Sequence, residues 1–178
     1  MDSTLSIYYN SYILDIEVIQ MQQNEKRHPK TCFFIGHRNA PESLRTRLNA
    51  TIEQLITRCG VTEFVVGHYG RFDAMCAGAV RDAKKRHQEI SLVLLLPYYS
   101  PKGSKDFFTY YDETFYPPKL EQVPKRLAIV RANEYMIRHC DYLLCYCEGY
   151  IGNTKNIVEQ AIALEQKGRP RIYNIAQK

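Results

Sequence analysis

"CFFIGHRNAP", Cys32–Pro41, is the stretch on which the fold turns. Its apolar start is too short for a helix and ends abruptly on Gly36-His37-Arg38, after which Pro41 suits the first turn of a helix. A strand that is apolar at successive positions is buried on both faces, as in a parallel sheet covered by helices. Such a strand has no need of a cation at its tip unless something anionic arrives there. Arg38 therefore raises the question of a ligand.

The pattern repeats downstream. The strand at 31–35 leads into a helix with Leu44, Leu48, Ile52, Leu55 and Ile56 on one face, ended by Gly60. A strand at 63–67 precedes a helix from Asp73 to His87, with Ala74, Ala77 and Ala83 as its small-residue face. "SLVLLLP" (91–97) is a third strand, and an irregular, aromatic-rich stretch follows over 98–123. A helix from Pro124 to His139, a strand at 141–147, a Gly-rich loop, a helix at 154–167 capped by Gly168 and a last strand in "RPRIYNIA" complete the chain.

Alternating short strands and amphipathic helices predict an α/β, Rossmann-like three-layer fold with a parallel five-stranded sheet. Right-handed crossovers, with the winding reversing in the long connection, give the order 3-2-1-4-5. The ligand crevice then lies outside the carboxyl ends of strands one and four.

The 178 residues suit one domain, read as residues 31–178, preceded by an N-terminal extension over 1–30. That extension has apolar residues without a clean period and then the polar "MQQNEKRHPK". It is either an upstream addition before Met21 or a short element docked on the body. A content of 45% hydrophobic and 24% charged residues is globular, and a net charge of +5 suits anionic small ligands without implying nucleic acid. No stretch approaches the ~20 apolar residues of a membrane span, and no secretory signal opens the chain. The six cysteines form no CxxC pair and read as reduced core residues of a cytoplasmic protein. His139, Cys145 and Cys147 fall short of a four-ligand zinc site, so no metal is expected, and no cofactor either.

Three loops would converge at the crevice: Gly36-His37-Arg38, "GHYGRFD" (67–73) and "EGYIGNTKN" (148–156). In the last, Gly149 and Gly152 allow close backbone approach, Thr154 offers a hydroxyl, and the helix behind it directs N–H groups at an anion. A tight turn with an N-cap is the plainer reading. Asp73 either complements the helix start or accepts hydrogen bonds from ribose hydroxyls. His37 and His68 fall on the same edge. Arg131, Asn133 and Tyr135 are read as facing solvent, with Arg131 and Asn133 approaching the crevice as the alternative. The aromatics of 98–123 either pin that stretch to the sheet or stack on a base.

These residues, taken in order, resemble a known group. "CFFIGHR", "VVGHYGRFDAMCAGAV", "PKRLAIVRANEYMIRHCDYLL" and "GNTKNIVEQA" are similar to the YpsA-like branch of the SLOG superfamily, which includes the DprA and LOG proteins, over about residues 31–176. The resemblance implies a Rossmann-like domain that binds nucleotides or their derivatives on its Gly-rich loops. By position it implies ligand contacts from Gly36, His37, Arg38, Gly67, Gly70, Phe72, Asp73, Gly152, Asn153, Thr154 and Asn156. The chain departs from the pattern at Arg71, where the group carries Gly, and in GGTxNT, where Asn153 and Ile157 replace Gly and Thr.

The expected function is binding or sensing of a nucleotide-derived small molecule. The alternative is an N-glycosidase or phosphoribohydrolase like the LOG branch, whose glutamate position falls on Ile157 here, leaving Asp73, Glu148 and Glu159 as possible substitutes, of which Asp73 is the candidate catalytic carboxylate. Single-stranded DNA binding, which wants a basic groove with interleaved aromatics, is a lesser expectation. The sequence leaves the oligomeric state open, a homo-oligomer included.

Overall fold

A computed structural model describes residues 29–98, 109–148 and 152–176. The N-terminal extension before residue 29 and Gly149 lie outside the described residues. The chain forms β1 (Lys30–Gly36), α1 (Arg45–Thr57), β2 (Val61–Val66), α2 (Arg71–Lys84), β3 (Ser91–Leu95), β4 (Glu113–Phe115), α3 (Lys125–His139), β5 (Tyr142–Tyr146), α4 (Asn153–Glu165) and β6 (Arg171–Asn174). All neighbouring strands are parallel, in the order β4-β3-β2-β1-β5-β6.

The Rossmann-like α/β architecture matches the expectation, and the strand count corrects it. The sheet has six strands because Glu113–Phe115, inside the stretch read as irregular, adds an edge strand beside β3. Three residues are too few to show a period of two, so no sequence pattern marked them. The reversal of winding falls between β4 and β5, which leaves β1 and β5 adjacent as expected.

Alternation along β1 splits the core into two layers. Cys32 and Phe34 pack with α1 and α2, while Phe33 and Ile35 pack with α3 and α4. Phe33 and Phe34 are both fully buried, which at ~2 kcal/mol each makes this strand a main anchor of the sheet.

Two local readings change. Pro41 opens a short 3-10 turn, Glu42–Leu44, before α1 begins at Arg45. The buried face of α2 is Phe72, Met75, Cys76, Ala79, Val80 and Ala83, so Ala74 faces solvent and Ala77 only borders the core. The described aromatics of 98–123 mostly pin their segment: Tyr98 Oη donates to the Lys125 carbonyl (3.0 Å), and Phe115 packs on Tyr135 (5.7 Å between ring centroids). Tyr110 is exposed, under the Arg81 guanidinium. All six cysteines are free thiols, and four of them are buried. Among the described residues no helix is long and apolar enough to cross a membrane.

Candidate functional site

The carboxyl ends of β1, β2 and β5 open into a cleft of about 320 Å³. Its lining includes Gly36, His37 and Arg38, then Gly67, Tyr69, Gly70 and Asp73, then Gly152, Asn153 and Thr154. The switch-point position inferred from the strand order is where the cleft lies.

Glycines hold the first two loops together. A Cβ on Gly36 would stand 2.4 Å from the ring of Phe72, and one on Gly70 would stand 3.0 Å from Arg38 Cα. The Arg71 N–H donates to the Arg38 carbonyl at 2.9 Å, so the second loop is hydrogen-bonded as well as packed against the first. Phe72 is therefore a core residue beneath Gly36, fully buried, and does not line the cleft. This corrects its assignment as a ligand contact. Arg71, the departure from the family pattern, is exposed and reaches Glu42 (3.4 Å).

His37 ties β1 to β5. Its N–H donates to the Tyr146 carbonyl (3.2 Å), and its Nε2 accepts the Glu148 N–H (3.0 Å), which places the ring proton on Nδ1. Tyr146 Oη donates to Glu148 Oε2 (2.5 Å), and burial, reinforced by Glu148, pushes that phenol up to about 12. His37 is thus a brace that also lines the cleft. His68 is exposed, lies tilted against Tyr69 (4.0 Å between centroids) and does not line it.

Asp73 is half-buried and faces the cleft. Its Oδ2 accepts the Tyr69 N–H at 2.9 Å. Burial raises its carboxyl above the ordinary range, against the opposing pull of the Tyr69 and Gly70 N–H groups. Tyr69, beside it, is pushed up to about 12, first by its own burial. A carboxylate kept in a cleft at an electrostatic cost is a feature common at functional sites.

The third loop supplies a helix terminus. Gly152 precedes α4 with φ 122° and ψ 169°, a conformation essentially reserved for glycine, and among the described residues no side chain caps the helix. The first-turn N–H groups of a helix have no intrahelical partner and suit an anion. Thr154 lines the cleft, and its Oγ1 donates weakly to the Gly36 carbonyl (3.4 Å). Asn156 is exposed and off the cleft; its N–H closes the first turn onto the Gly152 carbonyl (3.2 Å). Arg38 is exposed, and among the described residues no carboxylate pairs with it.

Three lining residues were missed or misjudged from sequence. Tyr69 was passed over between two glycines. Ile129 and Asn133 of α3 form a further wall, which corrects the reading of Asn133 as facing solvent; Arg131 does face it, paired with Glu134 (2.6 Å). The 129/133 spacing of one helical turn was the available signal.

No protein-family model and no curated protein matches the chain. Among solved structures it is similar to DNA processing protein A (DprA) from Streptococcus pneumoniae, with a TM-score of 0.54 at 13% identity, over 84% of this chain. The similarity extends over 59% of the length of that protein. At this identity the likeness is one of fold: the chain has a DprA-like, Rossmann-like architecture.

Proposed function

We propose that this chain binds an anionic, nucleotide-derived small molecule at the cleft, as a SLOG-type domain of the YpsA-like branch. The observation that carries the reading is the meeting of three groups in one 320 Å³ cleft: an Arg38 and an α4 N-terminus that, among the described residues, have no side-chain partner, and the half-buried Asp73. The first two suit a phosphate. The third suits the hydroxyls of a sugar, which a carboxylate accepts from and orients. The volume lies at the lower end of small-molecule pockets and fits one nucleotide-sized ligand.

Binding is favoured over hydrolysis by Ile157. The position that would carry the LOG glutamate is 1% exposed and sits in the core between α4 and the sheet. Among the described residues that line the cleft, Asp73 is the carboxylate on which a glycosidase would rely. Nucleic-acid binding draws support from the fold shared with a DNA processing protein. Against it, part of the basic surface is paired with carboxylates: Arg45 with Glu42, Lys84 with Asp112, Lys85 with Asp82 and Arg86 with Glu53.

The test is a thermal-shift panel of nucleotides, sugar phosphates and a short single-stranded DNA. A ligand at a hundred times its dissociation constant adds about 2.7 kcal/mol of stability. Arg38→Ala should abolish the shift while leaving the ligand-free melt in place. A shift from DNA alone, or one that Arg38→Ala leaves intact, would discard this reading. Release of free base from a nucleoside monophosphate, lost in Asp73→Asn, would make the protein a hydrolase.

A further inference from the structure

The wall of the cleft made by α3 is lined by Ile129 and Asn133, neither of which carries a charge. Ile129 and Asn133 stand one turn apart on it, and the helix is fixed in the core by the flanking Ala128, Ala132, Met136 and Ile137. Asn133 is half-buried, and among the described residues its amide has no hydrogen-bond partner. Asparagine is a poor residue for a helix interior, so helix stability does not account for it. The amide carries a donor and an acceptor side by side, both unspent.

We infer that Asn133 is a specificity-determining residue, which reads the polar edge of the ligand's ring system while Ile129 supports the ring's apolar face. The inference rests on the nucleotide reading above and adds to it the residue that selects among bases. A primary amide matches an edge that presents one donor beside one acceptor, and a good bidentate match discriminates by about tenfold or more.

The experiment compares ribose 5-phosphate with AMP, GMP, CMP and UMP by titration calorimetry on the full chain. At least one nucleotide should bind about tenfold more tightly than ribose 5-phosphate. Asn133→Ala should remove that gain and leave ribose 5-phosphate affinity unchanged, with the ligand-free melt intact. Asn133→Asp should move the ranking toward GMP, whose ring N–H and amine offer two donors to a carboxylate. If no nucleotide exceeds ribose 5-phosphate, or the ranking survives both variants, the inference is wrong while the anion site stands. If ribose 5-phosphate fails to bind, or binds Arg38→Ala equally well, the nucleotide reading fails and takes this inference with it.

Discussion

Helices α2 and α4 both begin at the cleft, yet the first turn of α2 is already occupied. Its Arg71 N–H is donated to the Arg38 carbonyl, and the N–H of Tyr69 just before it is donated to Asp73. Helix α4 begins behind Gly152 with no side-chain cap among the described residues. The glycines of the two regions differ in the same way. Gly36 and Gly70 are required by close packing, whereas a Cβ on Gly152 would meet nothing within 4 Å among the described residues and that residue is required by its positive φ. One region is a wall continuous with the core; the other is a backbone conformation that frees a helix end. Similar glycine-containing loops therefore do different work, and substitutions should separate them.

The largest effect is expected at Gly36. An alanine there drives its methyl into a Phe72 ring that is fully buried and has nowhere to turn, at a cost of about 2–3 kcal/mol. Chemical denaturation measures it. The double variant Gly36→Ala/Phe72→Leu should recover part of the loss, because the smaller side chain makes room. A cost below ~1 kcal/mol for Gly36→Ala, less than overpacking usually brings, would mean the wall is soft.

Gly152→Ala comes next, at about 1–2 kcal/mol of backbone strain. With no described residue crowding it, the fold should stay cooperative while ligand affinity falls. Affinity unchanged in a strained variant would remove the α4 terminus from the site.

Asp73→Asn should act in the opposite direction. Burial raises the folded carboxyl's pKa, so the native state holds its proton more tightly than the unfolded chain does. The stability this contributes is present at low pH and is lost as pH rises through the raised value. Asparagine has no charge to bury and still accepts the Tyr69 N–H. The ligand-free variant should therefore melt at or above the wild-type temperature at neutral pH, with a flatter pH dependence on the acid side. A clear drop in melting temperature at neutral pH would make Asp73 a structural cap and nothing more.

Thr154→Val should have the smallest effect on the free protein, under about 0.5 kcal/mol, since its hydrogen bond to Gly36 is long. Its consequence should be read in ligand affinity by calorimetry. Equal affinity would place the anion on backbone N–H groups and Arg38 alone.

Much of this arrangement was legible in one dimension. The buried run Cys32–Ile35, the glycines after β1 and β2, and Gly152 before α4 are local features, and each projects to the same sheet edge once the strand order is known. Phe72 was not legible as core, because a Phe beside a candidate ligand carboxylate reads equally well as a ligand contact. Its helix had to be rotated onto the sheet before Phe72 fell beneath Gly36. Asn133 reads as surface for a related reason: on a moderately amphipathic helix it is a polar residue between the charged Arg131 and Glu134.

The sequence by itself determined the alternation of strands and helices, the parallel sheet and the loops that carry the cleft. Those follow from hydrophobic period and from Gly and Pro, which act within a few residues. The tertiary structure alone decided that Glu113–Phe115 completes the sheet, that Asp73 is desolvated, and that α3 turns Asn133 inward. Each of these depends on contacts between elements distant along the chain, where short-range pattern carries no information.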